Sequence, residues 1–368
     1  RTDCAILVAC DLCVIRPGIQ AGFREALKDR LGDFPKEKLI LTATHTHCAP
    51  VILQDRFKVP PNAVQPKDCL QLIYDRMAEA VEKAWKSRQR AEMAYGLGHA
   101  VAAQCRRVVY SDNTAKMYGK IDTPKFRGLE NHACHDVDCA YFFGKDDQLM
   151  AILVGVWCPA QAGGGSHIGA DMWHHVRENV KAKQGNEVVV AGFCGPAGDM
   201  VPRWVLNQTA ETRMARLRGL SRSEEFARRI AAAVDDVLSV VSNHRQGDLP
   251  MQHVVRRLDL PTHPVTDAEY AEAKTVVESL NAKKDAITSR EWRLRKGKQY
   301  IVDRYDAQKR GEGKHGVELH AIRLGDLAIA TNPFELYVDY GVQIVARSRA
   351  TQTMLIQLAG QLNDHGYY

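Results

Sequence analysis

Apolar positions along this chain fall into two alternating rhythms: short unbroken runs, and longer stretches with apolar residues at i, i+3, i+4 and i+7. The first rhythm is that of strands buried on both faces, the second that of amphipathic helices. Residues 4–13 (CAILVACDLC) read as a buried strand with Asp11 near its end, residues 20–31 as a helix and residues 38–44 as a second strand. Residues 69–85 (CLQLIYDRMAEAVEKAW) carry helical spacing throughout. Residues 92–109 suggest two strands broken at Gly96-Leu97-Gly98, and the polar, glycine-containing stretch 110–133 a long ordered loop of the kind that often serves function. Strands follow at 137–143 and 149–157, joined by a Gly-Lys-Asp-Asp turn, then a helix at 170–183 and a strand at 187–193. A long helix is expected over 221–241, a linker over 244–250 (HRQGDLP), and an N-capped helix over 266–281. Residues 290–314 are strongly basic and read as a solvated helix face. A strand pair turns at Leu324-Gly325-Asp326, and a helix from Glu335 to 346 precedes a last strand at 353–358. Strands and helices alternate without an internal repeat, which predicts an α/β fold: a mixed sheet core flanked by helices, in one domain.

Composition narrows the function classes. The 368 residues are 45% hydrophobic and 26% charged, enough for a substantial core and ordinary for a globular protein. A net charge of +6 without a dominant basic block leaves no nucleic-acid footprint. No apolar run approaches the roughly 18 residues of a membrane span, so no membrane partner is expected. The chain starts at Arg1 and shows no signal peptide. Several of the ten cysteines, such as Cys4, Cys10 and Cys194, stand in strand-like runs, none has zinc-finger spacing, and most, with Cys158 excepted, read as reduced core residues of a cytoplasmic protein. Oligomeric state has no sequence signal.

Chemistry concentrates where strands end. The run Leu39-Ile40-Leu41-Thr42-Ala43-Thr44 leads straight into His45-Thr46-His47 and a Cys-Ala-Pro turn. Residues two apart on a strand share a side, so both imidazoles aim at one spot. That suits a divalent metal such as zinc, or one ligand beside one catalytic histidine. Three further strand exits gather polar or glycine-rich residues: Trp157-Cys158-Pro159-Ala160-Gln161 with His167, Asp171, His174 and His175 downstream; Cys194-Gly195-Pro196-Ala197-Gly198-Asp199-Met200-Val201-Pro202-Arg203; and Thr331-Asn332-Pro333-Phe334-Glu335. Ligands in open α/β sheets bind outside the carboxyl ends of strands, so these exits together point to an active site.

The order His-Thr-His-x-x-Pro, a strand ending at Cys-Pro, Gly-Asp-Met-x-Pro and a strand turning into Pro-Phe-Glu resembles the neutral/alkaline, non-lysosomal ceramidase family, and most closely compact bacterial proteins related to its catalytic domain. The resemblance runs over nearly the whole chain. It implies one zinc per chain, held by His45 and Glu335. His47 would then face the substrate and stabilise an oxyanion. An Asn-Arg-Ser loop of the family is similar to Gln104-Cys105-Arg106-Arg107, which would bring Arg106 to a substrate oxygen or carboxylate. Three positions depart from the family pattern. The second histidine ligand falls at Cys158, leaving Cys158 as a thiolate ligand or a site rebuilt around His167. The tyrosine ligand falls near His365, with Tyr367 as the alternative. The catalytic serine of Gly-Asp-x-Ser-Pro is replaced by Val201, which can neither attack nor donate.

Without that serine, metal-activated water is the expected nucleophile, with Asp199, Asp171 or His174 as proton carrier. Only nine Phe and five Trp are present, scattered along the chain, and no apolar lid is visible. The expectation is a zinc-dependent hydrolase of an amide, ester, lactone or glycosidic bond in a small polar, sugar-like molecule. Two alternatives remain open: a metal-dependent lyase or isomerase acting on a sugar acid, and a non-catalytic binding protein derived from the enzyme.

Overall fold

In a computed structural model, the structure describes residues 3–53, 57, 59–164, 167–283 and 287–360. The chain begins β1 (Ile6–Cys10), α1 (Ile19–Ala26), β2 (Leu39–Ala43) and α2 (Pro66–Lys86). It continues β3 (Glu92–His99), β4 (Gln104–Cys105), β5 (Arg107–Tyr110), β6 (Ala115–Met117), β7 (Phe126–Leu129), β8 (Asp136–Phe143) and β9 (Leu149–Val156). Then come α3 (Met172–Gln184), β10 (Val189–Cys194), β11 (Met200–Val201), α4 (Gln208–Leu217) and α5 (Arg222–Val241). The last elements are β12 (Met251–Pro261), α6 (Asp267–Asn281), α7 (Ser289–Lys309), β13 (Lys314–Leu324), β14 (Leu327–Thr331), α8 (Val338–Arg347) and β15 (Gln352–Ile356). The class is α/β, as the alternating rhythms imply. Two compact units divide the chain: residues 50–76 with 257–318, and the remainder.

The larger unit holds every strand exit singled out above. Its central sheet has the order β10-β9-β8-β3, with β10 parallel to β9 and the other pairs antiparallel. Side-chain alternation along β8 shows why these strands are apolar on both sides. Val137, Cys139, Tyr141 and Phe143 pack into one core with Trp173 and Val176 of α3 and Phe226, Ile230 and Val234 of α5. Ala140 and Phe142 turn the other way, toward Leu327 and Leu324. The second face is covered by a sheet, not by helices. There Ile322, Ile329, Met354 and Ile356 of β13–β15 meet Phe193 and Ile40. In that second sheet β13 pairs antiparallel with β14, and β14 parallel with β15. β1 and β2 pair in parallel and deliver their carboxyl ends side by side.

The smaller unit contains the α6–α7 hairpin. Thr266 with Glu269, and Thr288 with Glu291, form reciprocal capping boxes at the two helix starts. No side chain of α7 is buried, in keeping with its basic composition.

Three local expectations are corrected. Residues 92–109 do not break at Gly96-Leu97-Gly98: β3 runs through and pairs with β8 from Glu92 to His99. The glycines serve close packing instead, since a Cβ at Gly96 would lie 2.7 Å from Val237 and 2.9 Å from Val241 of α5, and one at Gly98 2.8 Å from Val237. Residues 110–133 are not a loop but belong to a three-stranded antiparallel sheet, order β6-β5-β7. Its hairpin turn is set by Asp112, whose carboxylate accepts from the Thr114 amide and hydroxyl, and by Asn113 at φ 61°. Finally, α8 starts at Val338, so Glu335 lies in the extended segment before it. That segment cannot coil because its backbone is bonded elsewhere. Phe334 O accepts from Leu358 N, Leu336 O from Gly198 N, and Asn332 Oδ1 from Phe334 N.

Replacing Gly96 by alanine is expected to destabilise the protein by about 1–3 kcal/mol, the range for overpacking a tight core. Replacing Gly164, which has open space around its would-be Cβ, is expected to change stability far less. Urea unfolding of the two variants beside the parent checks the difference.

Candidate metal and active site

The centre starts at the exit of β2. Thr44 is held by its amide to Cys10 O and by its hydroxyl to Asp11, which in turn takes a two-point ion pair from Arg177 of α3. The next residue, His45, is 4% exposed and has φ 64°, a left-handed backbone that a histidine adopts only when its surroundings enforce it. The enforcing contact is on the ring: His45 Nδ1 lies 2.6 Å from the Cys13 carbonyl. A carbonyl can only accept, so Nδ1 carries the proton and Nε2 presents a lone pair.

That lone pair faces two other donors. His47 Nε2 is 3.3 Å away and Glu335 Oε2 3.9 Å. His47 Nε2 also lies 2.7 Å from the Gln161 side-chain nitrogen, an amide donor that engages the single lone pair of this Nε2, so an ion bound there would take the place of Gln161. The two Nε2 atoms thus lie together beside a carboxylate. Two nitrogens at 2.0–2.1 Å from a tetrahedral zinc are roughly 3.3 Å apart, so the observed separation fits a shared ion. Ligand atoms of Cys13, His45 and His47 all lie within 4.8 Å of one another. The Cys13 thiol is 3.9 Å from His45 Nδ1, on the side already occupied by the Nδ1 proton. Burial first, then the Glu335 charge, pushes its pKa up to about 11.

Both imidazoles are held neutral, the form that binds metal. Burial is the main cause for His45, whose pKa falls to about 4, with the charges of Arg106 and Arg16 adding to it. His47 also falls to about 4, through loss of water first and then the neighbouring His45. His47 is exposed, so solvent takes weight from its shift, and His45 is the one whose neutrality the fold secures.

The Gly198-Asp199 turn braces Glu335. A Cβ at Gly198 would sit 2.4 Å from Glu335 O, so glycine is required for the two segments to meet. Asp199 is fully buried. One of its oxygens accepts from Val338 N at the start of α8 and the other from Asn131, and burial raises its pKa. Arg106 closes the brace. Its guanidinium donates to Gly198 O and to the Tyr118 hydroxyl, both at 2.6 Å, and its amide to Asp199 O.

The other candidates stand further out. Asp171 takes the amides of Ala162, Gly163 and Met172, so it caps α3 and pins the loop that carries Gln161. His174 is exposed on α3, edge-on to His175. The buried Cys158 thiol donates to Ala102 O at 3.2 Å, burial raises its pKa far above the ordinary range, and it is not grouped with Cys13, His45 and His47. Val201 is buried and paired with Gln104 in β11–β4. His365 and Tyr367 lie outside the described residues. Sequence reasoning missed Cys13, Gln161 and Tyr118. Cys13 follows the end of β1 and had a signal, since parallel neighbours open their loops on the same edge. The other two depend on loop conformation.

No family model matches the sequence, and no curated protein matches it. Solved structures do. A neutral ceramidase from Pseudomonas aeruginosa matches with a TM-score of 0.67 at 16% identity, over 98% of this chain and 59% of its own. A ceramidase complexed with C2 matches with a TM-score of 0.64 at 14% identity, over 98% of this chain and 61% of its own. This chain therefore has the fold of part of a neutral ceramidase and spans about three-fifths of those proteins' length. Among the described residues no helix is long and apolar enough to cross a membrane.

A depressed histidine pKa means the unfolded chain takes up protons that the native one refuses, so stability falls as pH drops from about 6.5 toward 4. For His45 the loss is on the order of 3 kcal/mol in metal-free protein. The expected outcome is a flatter stability–pH profile between pH 6.5 and 4.5 in His45→Asn than in the parent, measured by urea unfolding after chelator treatment.

Proposed function

We propose that this protein is a metal-dependent hydrolase whose zinc is held by His45, His47 and Glu335, acting on an amide, ester, lactone or glycosidic bond of a small polar substrate. The observation that carries the proposal is the pair of Nε2 lone pairs 3.3 Å apart beside the Glu335 carboxylate. When bound, the zinc supplies Lewis-acid polarisation and a nucleophile formed from water at neutral pH. This chain's own residues do the rest. Cys13 O fixes the tautomer and orientation of His45, as outer-shell carbonyls do for metal-binding histidines. Gln161 holds His47 from the solvent side. Arg106 places a fixed positive charge beside both histidines, where it stabilises negative charge developing on a substrate oxygen.

Valine at position 201 has no hydroxyl to form an acyl-serine there, which favours direct attack by water. It also admits a second reading, a lyase or isomerase that uses the same ion to hold an enolate. Asp199 is committed to Val338 and Asn131, which supports a bracing role over proton transfer.

Elemental analysis of purified protein is expected to give about one zinc per chain, lost in His45→Ala and Glu335→Ala. Turnover of a panel of esters, amides, lactones and glycosides in heavy-oxygen water is expected to label the product. Turnover without label supports the lyase or isomerase; absence of metal from all three proteins contradicts the proposal.

A further inference from the structure

Beside Arg106 stand two further arginines, Arg203 and Arg222, that have no part in the hydrolase reading. Arg203 stands four residues past the bracing Asp199 and is exposed. Its guanidinium carbon is 5.4 Å from the Tyr118 ring centroid, and that of Arg106 is 5.3 Å from the same centroid. Tyr118 is half exposed and has φ 54°, a left-handed backbone that non-glycine residues seldom adopt. Here it sets an aromatic ring against two cations. Arg222, the first residue of α5, donates its Nε to Ala162 O. That binds it to the same short loop whose Ala160 accepts from His47 N and whose Gln161 donates to His47. Burial first, and then the charge of Arg203, makes the Arg222 guanidinium easier to deprotonate than usual.

Several arginines of this unit close on carboxylates, as Arg177 does on Asp11 and Arg229 on Glu211, while others, such as Arg88 and Arg347, bond carbonyl oxygens. Among the described residues neither Arg203 nor Arg222 has an ion pair with an acid; Asp171, the acid felt by Arg222, spends its oxygens on three backbone amides. Neighbouring cations left without an acid beside the candidate centre are the counterpart of an anionic ligand, and the planar guanidinium fork suits a carboxylate. We propose that Arg203, with Arg222 and Arg106, holds a carboxylate of the substrate at the mouth of the His45–His47–Glu335 centre. The substrate class is then an anionic polar molecule, its carboxylate set apart from the bond that is cleaved. The word substrate rests on the hydrolase reading; the binding site does not.

Binding is tested without turnover, by calorimetric titration of the parent protein with succinate and with its uncharged analogue succinamide. Succinate is expected to bind in the millimolar range and succinamide at least about tenfold more weakly, the scale of one charge-assisted hydrogen bond. Arg203→Ala is expected to weaken succinate by about tenfold or more, with Arg203→Lys intermediate because it keeps the charge and loses the fork. The preference for succinate is expected to survive chelator treatment, which separates this site from the metal. Equal binding of the two probes, no binding of succinate, or an unchanged Arg203→Ala would overturn the proposal. Binding of inorganic phosphate in place of succinate would overturn the carboxylate assignment.

Discussion

The centre depends on one hydrogen bond, 2.6 Å from His45 Nδ1 to the carbonyl of Cys13. It fixes the tautomer of a buried imidazole and sends the Nε2 lone pair toward His47 and Glu335. It also compensates a left-handed backbone at φ 64°. The parallel pairing of β1 with β2 makes the contact possible, since it brings Cys13 and His45 out on the same edge. Thr44, Asp11 and Arg177 lock that edge to α3. A loss of this bond would free the ring, the backbone and the tautomer together.

A second brace converges on the same point from the other strands. Gly198 lets the Glu335 backbone approach, Asp199 starts α8 just beyond it, and Arg106 ties the turn to β4–β5. The motif Gly-Asp-Met-x-Pro thus has a structural purpose with Val201 at the position where the resemblance would put a serine. The glycine and aspartate act on Glu335, and β11 needs a buried apolar residue opposite Gln104. The candidate site thus brings together two imidazoles, a carboxylate and the Arg106 charge, with no hydroxyl at position 201.

The sequence carried the alternation of elements, the strand that delivers His45 and the four exits that gather chemistry, because burial on both faces forces long apolar runs and leaves polar residues only at strand ends. It did not carry the second sheet that covers the central one, since an apolar face reads the same whether a helix or a sheet lies on it. Gly96 and Gly98 looked like a break because a glycine's missing side chain is visible in sequence and the valines that fill its place are not. Gln161 and Tyr118 were hidden for a related reason. Their roles come from loops held by Asp171 and by the strands of β5–β7, which have no periodic signature. His47 was expected to face a substrate, and its Nε2 lies 3.3 Å from that of His45.

The claim at the core of this account is that one ion is shared by His45, His47 and Glu335. Diffraction from crystals grown with zinc, recorded on both sides of the zinc absorption edge, locates such an ion without reference to activity. The expected result is one anomalous peak bonded to His45 Nε2, His47 Nε2 and a Glu335 oxygen. A peak at Cys158, or none between the two imidazoles, would contradict it.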